Sequence, residues 1–140
     1  MLKSPFLLAS LGGSTVFLFG FIHAAAAQPR ALFCGHLGSA FIGMLCFQCL
    51  GDAHWVYVLS VVLTLTFMLV TKTVHPPANS LIMIHEHAGF FCFWQPVGLG
   101  IMTLALVAMI WSRLLPGMTH YPISWFEESP SSIDWGGWSE

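Results

Sequence analysis

The chain has 140 residues, 56% of them apolar and 7% charged, with a net charge of −2 and a mean hydropathy of +0.78. Soluble domains carry about 25% charged residues, so this composition cannot furnish a water-facing surface. Four cations and six carboxylates scattered along the chain form no basic stripe, which excludes nucleic acid as a partner.

The expected fold is an all-α, polytopic membrane helix bundle. Crossing a hydrocarbon core of about 30 Å takes roughly 20 apolar residues, and five hydrophobic segments are legible, at 5–26, 31–50, 53–73, 77–93 and 97–115. These make a transmembrane unit over residues 1–115, followed by a polar tail over 116–140 that carries Glu127, Glu128, Trp125, Trp135 and Trp138.

In the first segment, Lys3, the apolar run and the alanines 24–27 imitate a signal peptide. The run exceeds the roughly 7 to 15 residues of a signal core, and Gly12, Gly13, Ser14 and Thr15 interrupt it, so it is read as a membrane segment. The fourth contains His85, Glu86 and His87 and is either a short tilted crossing or a broken one. Connections are short, with prolines at Pro29, Pro76 and Pro96 where helices start or stop, so neighbouring segments are antiparallel hairpins. Cys34, Cys46, Cys49 and Cys92 lie in apolar stretches and behave as small apolar residues.

With five crossings, Arg30, Lys72 and Arg113 share one face, and Lys3 and Asp52 share the other. The positive-inside rule then puts the tail in the cytoplasm and the N-terminus outside, in an integral membrane protein of, we expect, the bacterial inner membrane. Trp55, Tyr57, Trp94 and Trp111 sit near segment ends, as interfacial anchors do.

Gly12-Gly13-Ser14-Thr15 and its apolar continuation align with Pro77-Ala78-Asn79-Ser80 and theirs. Each copy then reaches a Gln-Pro, at Gln28-Pro29 and Gln95-Pro96. Three crossings separate the copies, so the second is inverted relative to the first, an arrangement recurrent in secondary transporters. The chain reads as a three-plus-three repeat without its opening helix.

Thr73-Val74-His75-Pro76-Pro77-Ala78-Asn79-Ser80 resembles the signature of the HPP family of small integral membrane proteins. Leu11-Gly12-Gly13-Ser14-Thr15 agrees with that family, as does Ala27-Gln28-Pro29-Arg30 leading to Gly35-His36, Ser39-Ala40 and Gly43. The resemblance implies a bundle of membrane helices and, in plastid and cyanobacterial members, nitrite transport. The chain departs from the pattern at Asn79-Ser80-Leu81, where members usually continue Gly-Ala-Thr, and in carrying His85-Glu86-His87.

The prolines at 76 and 77 suit a helix start, so Asn79 and Ser80 fall in a first turn with free N–H groups, where a small anion could be held. Ser14 and Thr15 would supply the facing end from the other repeat. The competing structural reading is that these small residues serve close helix packing. Arg30 could gather anions at the edge, or simply set topology. His36, His75 and Glu86 are ionisable groups at membrane depth, suited to proton coupling or gating, while a histidine bonded to a neighbouring carbonyl is the plainer alternative.

These residues point to a channel or secondary carrier for a small, nitrite-like anion. The alternatives are a non-transporting accessory subunit of a larger membrane complex and, more weakly, metal or redox handling through His85, His87, Cys46 and Cys49. No triad, phosphate loop or hydrolytic carboxylate pair is legible, so neither enzyme activity nor a metal or other cofactor is expected. The expected partners are membrane lipid, a small inorganic anion, and either other membrane subunits or further copies of the chain.

Overall fold

The computed structural model describes residues 5–78, 97–117 and 119–129, with the backbone course alone for 5–8. Among the described residues there are four helices and no strand. They are α1 (Pro5–Gly20), α2 (Pro29–Leu50), α3 (His54–Thr71) and α4 (Leu99–Leu114), with a 3₁₀ turn, Ala25–Ala27, between α1 and α2 and another at 76–78. The first, second, third and fifth hydrophobic segments correspond to α1, α2, α3 and α4. The fourth, with Asn79, Ser80, His85, Glu86 and His87, lies outside the described residues.

Helix α1 stops at Gly20, short of the expected residue 26. The stretch beyond it turns, with Phe21 and His23 exposed and Ala26 and Ala27 fully enclosed. Apolar character alone cannot tell such a turn from a helix. What holds it is Gln28, whose side-chain amide donates to Ile22 O at 2.8 Å. Pro29 then opens α2 from its first position, where a missing N–H costs nothing. Gly51, at φ 81°, closes α2 with its N–H on Phe47 O. Lys72 closes α3 in the left-handed region, and Thr73 N–H returns to Met68 O at 2.9 Å.

Helices α2 and α3 form an antiparallel hairpin: Arg30, at the start of α2, donates to Thr71 O at the end of α3. Helices α1 and α4 run parallel, Leu11 packing near Val97 and Gly100, and Leu18 joining Ala105 and Ala108 in one apolar cluster. The contact faces are rich in small residues, among them Ser39, Gly43, Ala105, Ala108 and Ser112, as close helix approach in a membrane requires. Hydroxyls bond back to carbonyls four residues earlier, Ser39 to Gly35 O, Ser60 to Val56 O and Thr103 to Leu99 O, so none of these donors is left facing hydrocarbon.

Residues 119–129 form a strap across one end of the bundle. Tyr121 N–H donates to Ser112 Oγ near the end of α4, and its phenol donates to Ala27 O at 3.0 Å. Gln28 Oε1 accepts from the N–H groups of Ile123 and Ser124. Further along, Ser129 N–H donates to Lys72 O and Ser129 Oγ accepts from Val74 N–H. The strap thus gathers the C-terminal ends of α1, α3 and α4 with the N-terminal end of α2.

Candidate functional site

Where α1 and α2 meet the turn that follows α3, four polar side chains are fully buried: Ser10, Ser14, His36 and His75. Ser10 and Ser14 lie four residues apart on one face of α1. His36 comes two turns into α2, and His75 precedes the Pro76-Pro77-Ala78 turn. Two glycines make the approach possible. A β-carbon on Gly35 would stand 2.9 Å from the His75 Cβ, and one on Gly13 would stand 3.0 Å from the Pro77 Cβ.

The hydrogen-bond geometry fixes the tautomers. His36 Nδ1 is 2.8 Å from Leu32 O, and His75 Nδ1 is 2.6 Å from Ala26 O. A carbonyl oxygen only accepts, so both Nδ1 atoms carry hydrogen and, in the neutral rings, both Nε2 atoms are bare acceptors. Those two acceptors converge on one hydroxyl. Ser14 Oγ lies 2.8 Å from His75 Nε2 and 3.2 Å from His36 Nε2. Ser10 Oγ lies 3.2 Å from His36 Nε2 and 3.0 Å from Pro77 O. The imidazole rings are 4.9 Å apart, and Phe17 stands against His75 at 5.7 Å.

Of the residues singled out in the sequence, the structure brings Ser14, His36 and His75 together. Thr15, the next residue on α1, faces outward and donates to Leu11 O. Because α1 runs unbroken through Gly12 and Gly13, Ser14 and Thr15 sit in mid-helix and not at the start of a half-helix of their own. Arg30 is turned away from the cluster, to Thr71 O and to Glu128 at 3.1 Å; Lys72 Nζ holds the same carboxylate at 2.7 Å. That pairing, Lys72 foremost, holds the Glu128 carboxyl below its usual range. On α2, Cys46 is buried and Cys49 exposed. Among the described residues no group of three or more metal-ligating side chains forms. Asn79, Ser80, Glu86, His85 and His87 lie outside the described residues.

Ser10 belongs to the buried cluster although the sequence reading did not single it out, and Gln28, read there as part of a repeated Gln-Pro, ties the 25–27 turn to the strap. The signal for Ser10 was its spacing of four from Ser14, which places both hydroxyls on one helix face.

A model of the family described as HPP, transmembrane region, matches residues 1–122. The chain is similar to two transmembrane proteins of Dictyostelium discoideum. One is 31% identical over 89% of this chain and 43% of its own length, the other 27% identical over 86% and 45%. The chain thus spans less than half the length of these relatives, and their source does not speak for a bacterial one. No solved structure matches.

Proposed function

The chain belongs to the HPP transmembrane-region family of membrane proteins, and on that premise we propose that it moves a small inorganic anion such as nitrite across the membrane. The observation that carries this reading is the buried cluster of Ser10, Ser14, His36 and His75. Ionisable side chains at membrane depth are costly and mark ion or proton pathways, and this pair is built into the contact between α1, α2 and the His-Pro-Pro turn. Protonation there would give a positive centre in a low-dielectric surrounding, and an anion is what such a centre favours. Asn79 and Ser80, which follow the same turn in sequence, are the proposed anion-holding groups, with Glu86 as a further proton site.

The direction of the helices supports the transporter architecture. Helices α2 and α4, which each follow a Gln-Pro, run in opposite directions, as the second helices of an inverted repeat must. Helices α3 and α4 run toward the same end, which favours an odd number of crossings in all. We assign the strap end to the cytoplasm, because Arg30, Lys72 and Arg113 belong to it. A reporter active only in the cytoplasm should work when fused after residue 140 and be silent before residue 1.

The decisive experiment is nitrite flux into proteoliposomes. Wild type should conduct, and Asn79→Leu with Ser80→Leu should abolish flux while leaving folded protein in the membrane. Absence of flux in the wild type would sink the reading. It would favour an accessory subunit, a second reading that copurifying foreign chains would test.

A further inference from the structure

We propose that His36, Ser14 and His75 together form a site for one shared proton, with the Ser14 hydroxyl as the relay between the two imidazoles. The inference rests on the anion-transport reading for its purpose and on hydrogen-bond accounting for its existence.

In the neutral cluster the two serines supply two hydroxyl hydrogens. Ser14 Oγ has three acceptors within 3.2 Å: His75 Nε2, His36 Nε2 and the Ser10 carbonyl at 2.9 Å. Ser10 Oγ has two: His36 Nε2 and the Pro77 carbonyl. Five close contacts therefore share two hydrogens, and both imidazoles are satisfied only if Ser14 donates to His75 and Ser10 to His36. The Ser10–Pro77 contact at 3.0 Å and the Ser14–Ser10 carbonyl contact at 2.9 Å are then pairs of oxygens with no hydrogen between them.

One added proton relieves the Ser10–Pro77 contact, while the Ser14–Ser10 carbonyl contact stays without a hydrogen. With hydrogen on His75 Nε2, that ring donates to Ser14 Oγ, Ser14 donates to His36 Nε2, and Ser10 is released to donate to Pro77 O. Both Nδ1–H bonds, to Leu32 O and Ala26 O, are unchanged. Transfer is balanced. The His75 Nε2–H bond breaks as an O–H bond forms at Ser14, and the hydrogen Ser14 already held passes to His36 Nε2. Ser14 ends as the hydroxyl it began as, and the charge has moved from the turn after α3 to α2. A second proton is opposed by like charge between rings 4.9 Å apart.

Few other titratable groups face this cluster among the described residues. The helix α1 contributes only Ser10, Ser14 and Phe17. The 25–27 turn contributes the Ala26 carbonyl, and the strap reaches it no nearer than the Tyr121 phenol on Ala27 O. On α2, the guanidinium of Arg30 is committed to Glu128 and Thr71 O. Among the described residues, the two histidines are thus the proton acceptors of this cluster.

The test uses the full chain in lipid nanodiscs with ¹⁵N-labelled histidine, assigned through His36→Asn and His75→Asn. At alkaline pH both rings should show hydrogen on Nδ1 and a bare Nε2. On acidification both Nε2 signals should move together, with one common midpoint and one proton taken up. Ser14→Ala should abolish the common midpoint, leaving two separate titrations, whereas Ser14→Thr, which keeps the hydroxyl, should preserve it. Hydrogen on Nε2 of either ring at alkaline pH would overturn the proposal. So would independent titration in the wild type, or a Ser14→Ala variant that titrates like the wild type. Proteoliposome flux separates the two claims: a common midpoint without anion flux retires the transport reading and leaves the proton site standing. Flux without a common midpoint does the reverse.

Discussion

Gly35 and Gly13 are the residues on which the His-Pro-Pro turn rests, and their importance lies in what they lack. A methyl group on Gly35 would meet the β-carbon of His75 at 2.9 Å and Thr73 O at 3.4 Å, atoms close to backbone that cannot swing aside. Gly12, on the open side of the same helix as Gly13, would meet nothing within 4 Å. Alanine is favoured over glycine within a helix by about 1 kcal/mol, and overpacking costs about 1–3 kcal/mol. Gly12→Ala should therefore hold or raise the midpoint of thermal unfolding in detergent, while Gly35→Ala lowers it and separates His75 from Ser14. If Gly35→Ala melts like Gly12→Ala, the close approach does not govern the site. Ser14, His36 and His75 were legible as polar residues inside apolar stretches, but their grouping was not. Sequence offers no distance between Ser14 and His75, sixty-one positions apart. Ser14 and Thr15, read together in the sequence, part on the helix: neighbours point about 100° apart, so one hydroxyl enters the cluster and the next bonds to Leu11 O.

Among the elements, the strap binds its end of the bundle through two kinds of contact with different strengths. Gln28 is buried and its carbonyl oxygen takes two backbone N–H groups of the strap, whereas Glu128 lies in the open between Arg30 and Lys72. Stripping the partners from buried donors costs about 1–3 kcal/mol each, while exposed ion pairs contribute little and are screened by salt. Hydrogen exchange of residues 119–129 should therefore rise sharply in Gln28→Leu and only slightly in Glu128→Gln. The pH dependence has a definite sign. The Glu128 carboxyl is held below its ordinary value, so its contribution is present above the unfolded pKa of about 4.3 and is lost as pH falls through the lower folded value. Protection of the strap, taken relative to the intrinsic exchange rate at each pH, should be flat from neutral pH down to about 5 and fall only below about 4; a change centred near neutrality would point to a different group. The hydrophobic runs gave α2, α3 and α4 to within a few residues, because each is bounded by a proline, a glycine or a charged residue. The end of α1 was hidden because a turn made of alanines is as apolar as a helix, and the polar His23 and Gln28 are the residues that interrupt it.

At the scale of the whole molecule, the cluster and the outer faces place opposite demands on the surrounding medium. Ser14 is six residues from the end of α1 and His36 seven from the start of α2, which at 1.5 Å per residue sets the cluster about 10 Å below the strap end of a core about 30 Å thick. The polar groups that need partners are thus held inside, and the outer faces carry Val58, Val62, Leu63 and Val70 on α3 and Leu106, Val107 and Ile110 on α4, all exposed. In water, so continuous an apolar face would be a liability; in hydrocarbon it needs no cover. Val62, at the middle of α3 and 54% exposed, and Val70, near its end and 79% exposed, separate the two media. A lysine at the centre of a membrane helix costs about 2.5–3.5 kcal/mol of insertion free energy, whereas one near the end extends its ammonium to the interface. Val62→Lys should therefore cut the yield of inserted, folded protein by a factor on the order of a hundred, and Val70→Lys should leave it nearly unchanged. If this face met water, both lysines would be harmless. If it were covered by a second copy of the chain, Val62→Lys would insert but change the oligomeric state. Membrane-fraction yield and size in mild detergent, measured side by side for the two variants, therefore decide what α3 faces.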